Sequence, residues 1–258
     1  MNNDWSQQLA AARDAASAAA GVILGHYRAN VAVTVKADRT PVTVADVEAE
    51  QAIKNVLLAA FPDYGFYGEE TGTHGADRDA VWLVDPIDGT RSFVREYPFF
   101  STQIALRYRG ELVVGVSSAP AFGEVAWASV GDGAFLDGQR LAVSDIADWS
   151  DAALSTGNLG SMPASPARWA ALGDLIATVA RNRGYGDFYH YHLRASGKID
   201  AVVESDLNIL DIAALTVIVR EAGGNITDID GRPIDLDTSS VVAANAELHE
   251  DLLRRLAR

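Results

Sequence analysis

Between Val81 and Val130 four short β-rich runs, VWLVD, STQIALRY, ELVVGVSS and EVAWASV, follow one another with only turn residues between them. Branched and aromatic residues in runs of this length, divided by turn formers, predict a meandering sheet. The period changes on either side of it. From Trp5 through Leu9, Ala12, Ala16, Ala19 and Ile23 to Tyr27 the apolar residues recur three or four apart, which predicts one face of a long amphipathic helix. VAVTVK (Val31 to Lys36) reads as a strand closed by a turn at Ala37-Asp38-Arg39. A second helix opens at Thr43, with Asp46 three residues on as a variant capping box, and ends before Phe61-Pro62-Asp63. After Asp145 helical and extended segments alternate: ALST extended, a helix near Ala167 to Arg181, FYHYHLRASG helical, IDAVVE extended, DIAALTVIVREAGG helical, and a last helix from Glu247 to Leu256. The change of pattern places a boundary near residue 145, between an α+β portion (1–145) and an α/β portion (146–258).

Composition excludes several classes of function. No apolar run reaches membrane-spanning length and MNNDWSQQ lacks a basic segment before an apolar one, so the expectation is a cytoplasmic protein without a secretory signal. The absence of cysteine removes disulfides, thiolate metal sites and a cysteine nucleophile, leaving oxygen or imidazole ligands for any metal. A formal net charge of −14 argues against nucleic acid as a partner, which needs clustered Lys and Arg. An anionic substrate would need a cation from outside the sequence.

Acidic residues gather at the ends of predicted elements. WLVDPIDGTRSF sets Asp85 and Asp88 at the mouth of an apolar strand, and GEE (Gly68 to Glu70) ends another. Asp211 opens the helix IAALTVIVREAGG, where an N-cap is its ordinary explanation, and Asp46 in the first turn of its own helix has the same one. Taken together they suit a hard cation: magnesium takes carboxylate and carbonyl oxygens and bridges to phosphate, and such a cluster would otherwise repel itself. Gly89-Thr90 after the aspartates can aim successive backbone N–H groups at an anion.

GEE, DPIDGT and LDIAA followed by REAGG resemble, in order and separation, the three motifs of the inositol monophosphatase superfamily, over nearly the whole chain from Trp5 to Leu256. The resemblance implies a layered α-β-α-β-α sandwich of the inositol monophosphatase and fructose-bisphosphatase type, and metal-assisted hydrolysis of a phosphate monoester with two or three Mg²⁺ per site. It implies metal ligation by Glu69, Asp85, the Ile87 carbonyl and Asp88, a second metal on Asp211, and a third or outer one near Asp46. Glu69 would also help activate the attacking water, Thr90 would orient that water, the amides of Gly89 and Thr90 would hold phosphate, and Glu204 would contact the alcohol portion of the substrate. A homodimer and inhibition by lithium follow from the same resemblance; the charge and the lack of a long apolar run already argue against a nucleic-acid or membrane partner. Two positions depart from the pattern: Leu210 stands where Trp is usual, which alters packing behind Asp211, and Glu96 stands where Gly is common, which bears on the local loop.

The substrate reading turns on ARNRGYGDFYHYHL. RGYGDF and DPIDGTRSFVREYPFFSTQIAL are most similar to the histidinol-phosphate phosphatases of the superfamily, which implies conversion of L-histidinol phosphate to L-histidinol in histidine biosynthesis. Inositol 1-phosphate, or a sugar or nucleotide phosphate, is the alternative substrate; a catalytically idle anion-binding or scaffold protein is the alternative of another class. Histidinol carries an ammonium group, so its pocket needs carboxylates that no metal uses, and Asp187 and Glu204 are the candidates. Asp187 also has an ordinary reading as the cap of a helix starting at Phe188. His190 and His192 read as packing or pocket-edge residues, while His26, His74 and His249 read as surface positions. No GxSxG elbow is present to suggest a serine hydrolase.

Overall fold

The computed structural model describes residues 4–29, 33–35 and 41–257. Helix α1 (Ser6–His26) buries Ala12, Ala16, Ala19 and Ile23 on the face that the spacing predicts. Strands β1 (Val33–Val35) and β2 (Pro41–Thr43) pair antiparallel, and the expected turn at Ala37-Asp38-Arg39 lies outside the described residues. Helix α2 (Val44–Ala60) begins with the expected box: the Thr43 hydroxyl accepts from the Ala45 amide at 3.1 Å, and Asp46 Oδ2 accepts from the Thr43 amide at 2.7 Å. Satisfying these otherwise unpaired amides is what starts the helix there.

The meander is β5 (Ala80–Asp88), β6 (Ser101–Tyr108), β7 (Glu111–Ala119) and β8 (Glu124–Ser129), each antiparallel to the next. Around it an eight-stranded sheet is completed by β3 (Gly65–Gly68) and β4 (Gly72–His74) at one edge, and by β9 (Gly133–Leu136) and β10 (Gln139–Arg140) at the other. The pairing of β3 with β5 is parallel. A five-stranded sheet, ordered β12-β11-β13-β15-β14, follows in the chain: β11 (Ala153–Thr156), β12 (Arg181–Arg183), β13 (Ala201–Ser205), β14 (Asn225–Thr227) and β15 (Ser240–Ala244).

Strand alternation sets the layers. On β5, Trp82 and Val84 pack in one core with Ala16 and Ile23 of α1 and Ile53 and Leu57 of α2, while Val81 and Leu83 pack in another. That second core takes Phe188 and Tyr191 from α5 (Asp187–Ala195), Ile212 and Leu215 from α6 (Ile209–Glu221), and Val202, Val241 and Ala243 from the smaller sheet. The other face of that sheet, Ala201, Val203, Val242 and Ala244, meets Leu172 and Leu175 of α4 (Pro166–Thr178) and Leu248 and Leu252 of α7 (Ala246–Leu256). The result is α1/α2, sheet, α5/α6, sheet, α4/α7: the α-β-α-β-α sandwich.

Three local expectations are corrected. Helix α4 stops at Thr178, short of Arg181, because the chain turns extended at Val179 and Arg181 already belongs to β12. Helix α6 starts at Ile209, since Asn208 caps the Leu210 amide at 2.7 Å and Asp211 occupies the third helical position, reaching back to the Asn208 amide at 2.8 Å. His249 is buried, bonded to the Thr227 hydroxyl at 3.0 Å, beside Leu248 on the inner face of α7.

Candidate active site

Residues three apart on a regular strand point to opposite faces of a sheet, yet Asp85 and Asp88 share one side. The register between β5 and β6 slips between them, Asp85 opposing Gln103 and Asp88 opposing Ser101. Pro86, at this slip, has no N–H to give the ladder, and its carbonyl takes the Thr102 hydroxyl instead, at 2.8 Å. The bulge inverts the parity: Ile87 turns into the core beside Trp82 and Val84, and Asp88 returns to the side of Asp85. Asp211, in the first turn of α6, arrives from the facing layer, and the three carboxylates place oxygens within 4.8 Å of one another.

Glu69 follows β3 directly, its amide donating to the Val84 carbonyl at 3.2 Å, and its charge acts on Asp85, Asp211 and Asp46. Asp46 lies outside the trio with both oxygens engaged, Oδ2 by Thr43 and Oδ1 by the Thr90 hydroxyl at 3.1 Å. The Thr90 hydroxyl is also 3.0 Å from the Ile87 carbonyl, so its single proton has two acceptors within reach. Gly89 holds φ 86°, and a Cβ there would sit 2.5 Å from the Phe99 carbonyl, so only glycine permits the turn that starts α3 (Thr90–Val94). Glu96 adopts the left-handed backbone, φ 62°, that its glycine-like position requires. Leu210 is buried in the core behind Asp211.

The second group of acids closes the other side. Asp88, Asp187, Glu204 and Asp211 line one cavity with Asn158 and Tyr191. Asp187 is the first residue of α5, with φ 45° and Gly186 at the cap position, and its side chain makes no capping bond; the helix-cap reading is therefore not what the geometry shows.

Burial, reinforced by neighbouring acids, holds these groups protonated to unusually high pH. Asp85 is raised well above the carboxylate range by burial and then by Glu69, and Asp88 by burial and then by Asp187 and Asp211. Burial carries Asp211 up to about 7, against the bond from the Asn208 amide, and Asp187 up to about 6, with Glu204 adding to it. Oxygen donors this crowded, at a common point and short of positive charge, fit a hard divalent cation.

Several supporting residues lie outside the sequence motifs. Glu50, one turn after Asp46 on the buried face of α2, accepts the amides of Glu70 and Thr71, both at 2.7 Å, and so fixes the GEE turn. Ser101 donates to Asp88 Oδ2 at 3.2 Å and continues through Gln103 and Ser117 to His192 on α5. Helical spacing from Asp46 was the one clue to Glu50; nothing sequential links Ser101 to His192.

The sequence model of the inositol monophosphatase family matches residues 4–258. The chain belongs to that family. It is 42% identical over 229 residues to a histidinol-phosphatase of Mycobacterium tuberculosis, covering 87% of each chain. It is 37% identical over 223 residues to an inositol-1-monophosphatase of Caulobacter vibrioides, covering 83% of this chain and 86% of that one. Among solved structures, the extragenic suppressor protein suhB of Bartonella henselae matches with a TM-score of 0.87 at 32% identity, over 96% of this chain and 97% of that chain. This member of the inositol monophosphatase family is a phosphatase that hydrolyses phosphate monoesters, and the family is metal-dependent, in keeping with the acidic trio.

Proposed function

We propose that this phosphatase is magnesium-dependent and acts on histidinol phosphate. One observation carries the substrate choice: Asp187 and Glu204, neither needed by the trio, line the same cavity as Asp88 and Asp211. An ester whose alcohol bears an ammonium group gains charge-assisted hydrogen bonds there, and a neutral polyol does not. The histidinol-phosphatase name of the Mycobacterium tuberculosis relative agrees.

In this reading Asp85, Asp88, Asp211, Glu69 and the Ile87 carbonyl hold the ions, with Asp46 at the edge. Bound divalent cations would supply an activated water and positive charge beside the leaving oxygen. The amides of Gly89 and Thr90 hold the phosphate, Thr90 orients the water, and Glu69 takes its proton. Attack forms one P–O bond as the ester P–O bond breaks, and the leaving alkoxide takes a proton from solvent water in place of the one passed to Glu69. A homodimer, a cytoplasmic location and lithium inhibition belong to the same reading through the family resemblance.

The test is turnover of histidinol phosphate against inositol 1-phosphate on purified protein. With magnesium, kcat/KM should favour histidinol phosphate by about tenfold or more, and Asp187→Asn should remove most of that margin. Chelation should stop both reactions and magnesium should restore them. Equal or reversed preference assigns the enzyme to inositol phosphate or another neutral ester; full turnover in chelator removes the metals.

A further inference from the structure

Glu204 is a buried carboxylate with more partners than a simple substrate contact needs. Its Oε2 accepts from the Tyr191 hydroxyl at 2.8 Å and lies 3.0 Å from His190 Nε2, while Oε1 accepts the Asn158 amide at 3.3 Å. The backbone after β11 presses so close that a Cβ on Gly157 would stand 2.0 Å from Oε1. His190 is wholly buried, and its other ring nitrogen, Nδ1, is 3.3 Å from the Ser155 hydroxyl, which accepts in turn from the Tyr185 amide at 3.3 Å.

One assignment of protons satisfies every member. The Tyr185 amide donates to Ser155, the Ser155 hydroxyl donates to His190 Nδ1, and Nε2–H donates to Glu204, which must then be an acceptor at both oxygens. Burying that carboxylate unpaired would be strongly unfavourable; three donors on it remove much of the penalty, and Glu204 still lines the cavity. Helix α5 supplies the geometry, because Asp187, His190 and Tyr191 stand at i, i+3 and i+4 and so share one helical face. The loop that begins the relay at Tyr185 is the one that delivers Asp187.

We infer that His190, backed by Ser155, is a positioning residue that sets substrate specificity: it holds Glu204 as a fixed anionic acceptor beside Asp187, so that the two carboxylates receive the cationic end of the alcohol and reject a neutral one. This rests on the reading of the substrate as a cationic ester. A glutamate with free torsions would have to be ordered by each incoming substrate; here the ordering is completed in folding, so the contact is available at full strength. The imidazole is wholly buried and lies outside the acidic trio; its hydrogen bond is to Glu204, and its field also reaches Asp187.

The test is a selectivity ratio, kcat/KM for histidinol phosphate over kcat/KM for inositol 1-phosphate, with KM and kcat resolved. His190→Phe keeps a ring in the space and deletes both hydrogen bonds; the ratio should fall about tenfold to a hundredfold, chiefly through KM for the cationic ester. His190→Gln, whose amide can still donate to Glu204, should recover part of the loss. Ser155→Ala and Tyr191→Phe each delete one link of the network and should lower the ratio by smaller steps; they decide the question if His190→Phe does not fold. Wild-type protein with no preference for the cationic ester overturns the substrate reading and this inference with it. A wild-type preference that survives intact in the folded variants, or that stays constant because both esters lose equally, overturns this inference alone and leaves the substrate reading standing.

Discussion

Asp88 is acted on by Asp187, Asp211 and Glu204 at once, and each of them makes its ionisation harder. Asp88→Asn keeps the shape and an oxygen for the Ser101 hydroxyl but removes one anionic ligand from the centre of the trio. Phosphate release at saturating magnesium should drop by about 10² or more. Melting in chelator should be unchanged or higher, because a neutral amide relieves repulsion among the remaining acids. Turnover near that of the wild type would sink the assignment of Asp88 to the metals. At this scale the acids were legible and their neighbours were not. Asp85 and Asp88 stand out as a pair at the end of an apolar strand, Glu69 just past β3 and Asp211 at a helix start, all recognisable in the local sequence. Glu50, Ser101, Ser155 and His190 act through bonds to residues distant in the chain, between elements that only the fold brings together. His249 was misplaced for a related reason: the apolar period of α7 names Leu248, Leu252 and Leu256, and a polar residue beside that stripe finds its partner, Thr227, only through the tertiary structure.

Helix α6 carries Asp211 in its first turn and packs against the larger sheet at Gly115 of β7, where a Cβ would lie 2.3 Å from the Ala214 carbonyl. That contact is backbone against backbone, so no side-chain rotation can relieve it. Gly115→Ala should cost roughly 1–3 kcal/mol, as overpacking does in close-packed cores. It should also lower turnover, since Ala214 is one turn from Asp211 and the helix must move as a unit. Gly21→Ala is the control, because the added Cβ meets nothing within 4 Å inside α1 and should stabilise by roughly 0.5–1 kcal/mol. Urea melts of both variants decide it, and a Gly115→Ala protein as stable and active as the wild type would mean that α6 is not seated as described. Period and turn chemistry located the strands of the meander, the capping box of α2 and the helical face of α1. They did not reveal the parallel pairing of β3 with β5, which local sequence does not encode, or the β5 bulge, whose sequence, Asp-Pro-Ile-Asp, reads equally well as a plain turn. The start of α6 was misplaced because Asn208 caps as readily as Asp211 does.

A formal net charge of −14 burdens the whole molecule, and the cavity concentrates part of it between the two sheets. Without metal, the charge there should make stability depend on pH in a direction opposite to ordinary acid denaturation. Asp187 is raised from 3.8 to about 6 and Asp211 from 3.8 to about 7, so between these values the native state binds more protons than the unfolded chain. Stability then falls as pH rises, being fully present below the unfolded value and lost through the folded one. Asp85 and Asp88, raised by the same burial and crowding, add to the trend. His249 opposes it, because burial lowers its pKa below 6.5 and the unfolded chain then holds the extra proton. Carboxylates that are lowered by their partners, such as Asp251 and Asp206, change their contribution only at more acidic pH and leave this window alone. In chelator, therefore, Tm should decline from about pH 5 to about pH 8, and Asp187→Asn should flatten the part of the decline that falls near pH 6. Magnesium should reverse the slope, since it binds the deprotonated carboxylates and its stabilisation grows as protons leave. A Tm that climbs steadily over that range in chelator, with magnesium adding the same increment at every pH, would show that the acids are not coupled through a common metal site.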